Sequence, residues 1–125
     1  MILGVGVDLI EVERIARACT REAFVRRVYT QAERALFASR ANAAQVMAAH
    51  WAAKEAVMKA LGVGIGTVAL REIEIGRNAS GAPSVCLYGA AQTRLTQLHG
   101  TRLHVSLSHV AHMAAAFAVL EGEGS

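Results

Sequence analysis

Ala43-Ala-Gln-Val-Met47-Ala-Ala-His50-Trp51-Ala-Ala-Lys54-Glu55-Ala-Val-Met58-Lys59-Ala-Leu61-Gly62 is the stretch around which the rest of the chain is read. Met47, Trp51, Met58 and Leu61 recur at helical spacing, and Gly62 follows as a left-handed terminator, so the pattern predicts a helix over 43–61. Glu55 falls four residues after Trp51 and three before Met58, on the stripe that faces the core. A carboxylate there is costly to bury unless a cation accompanies it. Lys59, one turn further on, makes either an ordinary i,i+4 pair with Glu55 or a second member of a site.

Working outward, Leu3–Asp8 alternates glycine with Val and Leu and reads as a short strand, with glycine where something packs close. Leu9–Ala18 and Glu22–Val28 read as helices. Thr30-Gln-Ala-Glu33 is a capping box that predicts a helix over 31–38. After Gly62 come a hairpin (Glu72–Ile75, a turn at 77–81, Ser84–Tyr88), a helix over Ala90–Leu98, and a strand over Arg102–Ser108. Met113–Leu120 is apolar on both strand faces and reads as a central or interface strand, a helix being the other reading. The order strand, helices, hairpin, helix, hairpin predicts one α+β domain over 1–125, with an antiparallel sheet packed with a long central helix.

Composition narrows the function classes. The 125 residues are 54% hydrophobic with one Pro, which suits a packed domain and not a disordered chain. Cys19 and Cys86 have neither disulfide-framework nor metal-ligand spacing and read as free thiols. No signal peptide or membrane-length apolar run is evident, so a cytoplasmic protein with no membrane association is expected. The net charge of +3 is uneven, with seven Arg against Glu22 and Glu33 over residues 14–40. That stretch is a solvated face or a docking surface for an acidic partner, protein or nucleic acid.

Two carboxylates stand out. Asp8 ends the first predicted strand; with Glu11 it fits a capping pattern for the next helix, or else it is a hard oxygen ligand. Asp8 and Glu55 from separate elements, together with phosphate oxygens, form a donor set that suits Mg2+, and Glu11 is a third candidate. The Gly62-Val-Gly64-Ile-Gly66 loop follows a helix, the wrong context for a dinucleotide fingerprint. It reads as a cap and turn, or as a backbone cradle at Gly64 for a ligand phosphate. Ser108 and His109 are strand neighbours on opposite faces and make no nucleophile–base pair, whereas a polar strand end there suits a ligand phosphate.

Gly4-Val-Gly-Val-Asp8-Leu-Ile-Glu11-Val-Glu-Arg14-Ile15, Trp51-Ala-Ala-Lys54-Glu55-Ala-Val-Met58-Lys59-Ala-Leu-Gly62, Gly81-Ala-Pro83 and Val105-Ser-Leu-Ser-His109 occur in that order along nearly the whole chain. The ordered set resembles the holo-acyl-carrier-protein synthase family of 4′-phosphopantetheinyl transferases. The resemblance implies that family's fold and transfer of phosphopantetheine from coenzyme A to a carrier-protein serine in support of fatty acid biosynthesis. It implies Mg2+ on Asp8 and Glu55, Lys59 on the pyrophosphate, His109 and His50 near the nucleotide 3′-phosphate, and Glu55 helping to deprotonate the serine. Arg14 and Arg21 would dock the acidic acyl carrier protein, and the single-unit length resembles the homotrimeric subclass with active sites between subunits. His50 stands where the family commonly has Arg, and Val110 where a hydroxyl residue is often found. The competing expectations are a small basic nucleic-acid-binding module and another Mg2+-dependent nucleotide enzyme.

Overall fold

The fold was analysed in a computed structural model that describes residues 1–64 and 66–123. Its strands are β1 (Ile2–Glu11), β2 (Ile73–Arg77), β3 (Pro83–Leu87), β4 (Gly100–His109) and β5 (Met113–Gly122). Its α-helices are α1 (Val12–Ala18), α2 (Glu22–Val28), α3 (Gln31–Ala38), α4 (Ala43–Leu61) and α5 (Gly89–Gln97). The strands form an antiparallel three-stranded sheet in the order β1-β5-β4 and a separate hairpin, β2-β3. The α+β expectation holds, and Met113–Gly122 is the central strand, paired on both edges.

Helix α4 lies across the three-stranded sheet, and small residues set how closely it approaches. Ala52, Ala53, Ala56 and Ala60 on the helix and Ala116 and Ala118 on β5 are all buried in one core cluster. On β1 even alanine is too large. A Cβ built on Gly4 would lie 2.0 Å from the Ala60 carbonyl oxygen, and one on Gly6 would lie 2.0 Å from that of Ala56. The two glycines let a strand backbone rest against a helix backbone, which fixes the distance between the side chains that each carries. The helix ends as its sequence dictates. Gly62 takes φ +67°, and the Val63 and Gly62 amides donate back to the Met58 and Lys59 carbonyls, a Schellman closure.

The start of α1 differs from expectation. The strand runs on through Leu9 and Ile10 to Glu11, and the helix begins only at Val12. Asp8 neither ends the strand nor caps the helix: it sits mid-strand opposite Ala116, and Glu11 occupies the N-cap position without a side-chain bond. Pairing with β5, far away in sequence, supplies ladder hydrogen bonds that a local periodicity count does not register. The capping box at Thr30 is present as read, with Thr30 Oγ1 accepting from the Glu33 amide and Glu33 accepting from the Thr30 amide.

Candidate active site

Asp8 and Glu55 meet between β1 and α4. Asp8 projects from the helix-facing side of β1, two residues beyond Gly6, and Glu55 comes from α4, under two turns before its end at Leu61. Both line one cleft with Leu9, Arg14, Trp51 and Phe24. Lys59 reaches the same place from the next turn: its Nζ donates to the Val7 carbonyl at 2.8 Å and stands 3.4 Å from Asp8 Oδ1. Of the two readings of Lys59, the Glu55–Lys59 pair is not formed, because the ammonium turns toward β1. Among the described residues Glu55 makes no ion pair within 4.0 Å.

That leaves Glu55 half-buried and short of positive charge. Burial raises its carboxyl above the usual carboxylate range, nearby Asp8 raises it further, and Lys59 only partly offsets them. Trp51, one turn earlier, stacks on Phe24 with ring centroids 5.6 Å apart and forms the apolar wall of the cleft. On the other side of that wall a second cavity of about 390 Å³, whose lining includes Val28, Met58, Val68 and Leu70, also opens on Glu55. The carboxylate therefore stands where a polar cleft joins an apolar one.

Other candidates fall elsewhere. Arg14 is in the polar cleft, whereas Arg21 is exposed at the N-cap of α2 outside it. His109 ends β4, opposite Ala114 and two strands across from Ile10, and is exposed away from the cleft. Gly64 is exposed, and a Cβ there would meet nothing within 4 Å, so nothing in the chain demands glycine at that point. His50 requires a correction. It is buried, and its Nδ1 is 2.7 Å from Glu33 Oε2, so its ring is committed to a carboxylate inside the protein and does not reach a phosphate. Among the described residues no group of three or more His, Cys, Asp or Glu forms a ready-made metal cage. Two carboxylates facing a cleft are what remains, a set that a phosphate ligand would have to complete.

Residues 4–118 match the 4′-phosphopantetheinyl transferase superfamily. The chain belongs to that superfamily. Within it the chain is 44% identical over 124 residues to the holo-[acyl-carrier-protein] synthase of Koribacter versatilis, covering 97% of this chain and 99% of the relative. It is 46% identical over 127 residues to that of Herpetosiphon aurantiacus, covering 94% and 98%. The fold superposes on the crystal structure of the Neisseria meningitidis holo-[acyl-carrier-protein] synthase with a TM-score of 0.88 at 35% identity, covering 97% and 99% of the two chains. A Bacillus anthracis synthase in complex with CoA (3′,5′-ADP) superposes with a TM-score of 0.81 at 32% identity, covering 98% and 99%. The chain is thus a member of the holo-acyl-carrier-protein synthase family of phosphopantetheinyl transferases.

One feature of this transferase is absent from the sequence reading. Lys54, directly before Glu55, is fully buried and donates to Glu33 at 2.6 Å and to the carbonyls of Leu70 and Ile73 at 3.1 and 2.5 Å. Glu33 thereby serves His50, Lys54 and its own helix cap at once. Burial pushes the Glu33 carboxyl up, but the His50 and Lys54 contacts outweigh that and hold it below the usual range. The available signal was a Lys in the middle of an apolar helix face with a Glu already spoken for by a cap.

Proposed function

We propose that the chain transfers the 4′-phosphopantetheine arm of coenzyme A to a serine of apo-acyl carrier protein, releasing adenosine 3′,5′-bisphosphate, in support of fatty acid biosynthesis. The observation that carries this reading is the convergence of Asp8, Glu55, Lys59 and Arg14 on one cleft in a chain of this family. The residues fit Mg2+: Asp8 and Glu55 are hard oxygen donors, Asp8 is close enough to disfavour charge on Glu55, and Lys59 stands beside Asp8. Bound there, the metal supplies Lewis-acid stabilisation of charge developing on pyrophosphate oxygens. Lys59 lies beside Asp8, placed to hold the same pyrophosphate and to neutralise the departing bisphosphate. Glu55, its carboxyl raised above the usual carboxylate range, is the group suited to take the serine proton, directly or through a water. Phosphoryl transfer depends mainly on position and electrostatics, so this small set suffices.

The exposed face of the sheet supports a homotrimer with active sites between subunits. Val5, Val7 and Leu9 on β1 and Phe117 on β5 are 49–64% exposed, and Val7 pairs directly with Phe117, so an apolar strip faces away from α4. A strip of this kind marks an interaction surface. His109, distant from the cleft of its own chain, would then serve the cleft of a neighbour. A nucleic-acid module would use the Arg-rich helices but leaves Asp8, Glu55 and Lys59 without a role. No described helix is long and apolar enough to cross a membrane.

The test is to incubate the protein with coenzyme A, Mg2+ and an apo-acyl carrier protein, then weigh the carrier by mass spectrometry. A gain of one phosphopantetheine arm is expected. An unchanged carrier, together with salt-sensitive binding to random DNA, would favour the nucleic-acid reading.

A further inference from the structure

Lys54 joins three parts of the molecule at one buried atom. Its Nζ bonds to Glu33 of α3 and to the carbonyls of Leu70 and Ile73, which flank the start of β2. Glu33 in turn holds His50, one turn before Lys54 on α4, and the His50 ring packs edge-on against Phe37 with centroids 5.1 Å apart. The Tyr29 hydroxyl donates to the Met47 carbonyl, one turn further back. The segment of α4 immediately preceding Glu55 is therefore fastened at successive turns, all on the side away from the sheet. Leu70 is also part of the far wall of the apolar cavity that opens on Glu55. The lysine that fixes the helix thus fixes the opposite wall of the cavity as well.

A buried ion pair is a poor source of stability, because desolvation offsets much of the attraction. What such a pair can supply is geometry, and here that geometry is set one residue from Glu55. We infer that the Glu33–Lys54–His50 cluster is a positioning device that sets the direction of the Glu55 carboxylate toward Asp8, with Lys54 the positioning residue. The inference rests on the reading that Asp8 and Glu55 hold the metal. Groups that orient metal ligands typically change affinity by about 10–100-fold when removed.

The test uses the full chain saturated with coenzyme A, whose phosphates complete the donor set, and Mn2+ as a spectroscopic probe, with binding followed by electron paramagnetic resonance. The variant is Glu33→Gln with Lys54→Met, which removes one charge of each sign and leaves the net charge unchanged. The Gln oxygen retains the bond from the Thr30 amide. The control is Leu95→Ala on α5, which opens the core far from the cleft and lowers stability without touching the cluster. The expected result is Mn2+ binding weakened about tenfold in the double variant and parental in Leu95→Ala. In transfer assays kcat should fall and the KM for carrier protein should stay the same. If the double variant does not fold, Lys54→Gln, which keeps a donor but shortens its reach, takes its place with the same expectation. Parental Mn2+ affinity in the cluster variant overturns the inference, as does an equal loss in Leu95→Ala, since stability alone would then explain it. Absence of Mn2+ binding by the parent protein sinks the metal reading itself, and the inference with it.

Discussion

Replacing Gly6 by Ala should damage both the fold and the reaction, and the size of each effect follows from one contact. The new Cβ would stand 2.0 Å from the Ala56 carbonyl oxygen, 2.9 Å from its carbon and 3.0 Å from Lys59 Cβ. Ordinary contact begins near 3.4 Å, and the obstacle is helix backbone that cannot rotate aside. Strand β1 must therefore retreat from α4 by up to about 1.4 Å. Overpacking of this kind costs roughly 1–3 kcal/mol. Removing a glycine from the unfolded chain offsets about 0.4–1 kcal/mol of that. The net loss of roughly 1–2 kcal/mol should lower the Tm by about 4–10 °C. Activity should suffer more, because Asp8 rides on the displaced strand while Glu55 and Lys59 stay on the helix. A misplacement of about 1 Å is enough to reduce a rate roughly 10²-fold. Thermal unfolding followed by circular dichroism and transfer assays well below the Tm separate the two effects. Gly76→Ala is the control: its Cβ meets only Ser84 Oγ at 3.4 Å, so both properties should survive. A Gly6→Ala protein with parental Tm and rate would refute the packing argument. A lowered Tm with full activity would show that the β1–α4 spacing does not set the site.

Other outcomes follow from the same geometry. Glu55→Gln, without metal, should stabilise the fold at neutral pH by less than about 1 kcal/mol, because the side chain is half-exposed, and so raise the Tm, while abolishing most transfer. The sign follows from the raised folded-state pKa: the ionised carboxylate destabilises the fold above that pKa, and the penalty vanishes as pH falls below the ordinary carboxylate value. A Tm difference independent of pH would contradict this. In multi-angle light scattering the parent should run as the proposed trimer and Phe117→Asp as smaller species, and a parent that is an active monomer would remove the interface argument. Arg21→Glu should raise the KM for acyl carrier protein severalfold at low salt with the KM for coenzyme A unchanged, and high salt should erase the difference. Arg14→Glu should alter both constants, since Arg14 lines the cleft as well. Equal effects of the two substitutions on coenzyme A would place Arg21 in the nucleotide site.

What was legible in the sequence is what local chemistry decides. The Thr30–Glu33 box and the Gly62 terminator gave the ends of α3 and α4, because capping satisfies backbone groups within a few residues. Asp8 and Glu55 stood out as carboxylates among apolar neighbours, and the structure brings them to one cleft. Leu9 and Ile10 suit a helix or a strand equally well in periodicity, and pairing with β5 at the other end of the chain decides for strand. The buried cluster was illegible for a similar reason. Its bonds join residues 17 and 21 positions apart, so local reading gives Glu33 only a cap, Lys54 only a place in the motif, and His50 a phosphate contact. The resemblance implied a phosphate contact at the His50 position, while in this chain the ring turns inward to Glu33. Of the two readings of Lys59, the i,i+4 pair with Glu55 is not the one adopted, because its long side chain spans from helix to strand and bonds the Val7 carbonyl beside Asp8.

The central claim is that Asp8 and Glu55, from two different elements, act as one metal-dependent site. It is tested most directly by measuring phosphopantetheine transfer against Mg2+ concentration for the parent, Asp8→Ala and Glu55→Ala, each first shown to be folded by circular dichroism. The expected result is a saturable Mg2+ dependence in the parent and near-complete loss of transfer in both variants at every concentration. Transfer by the parent that is indifferent to chelation, or either variant working at close to the parental rate in limiting Mg2+, would contradict it.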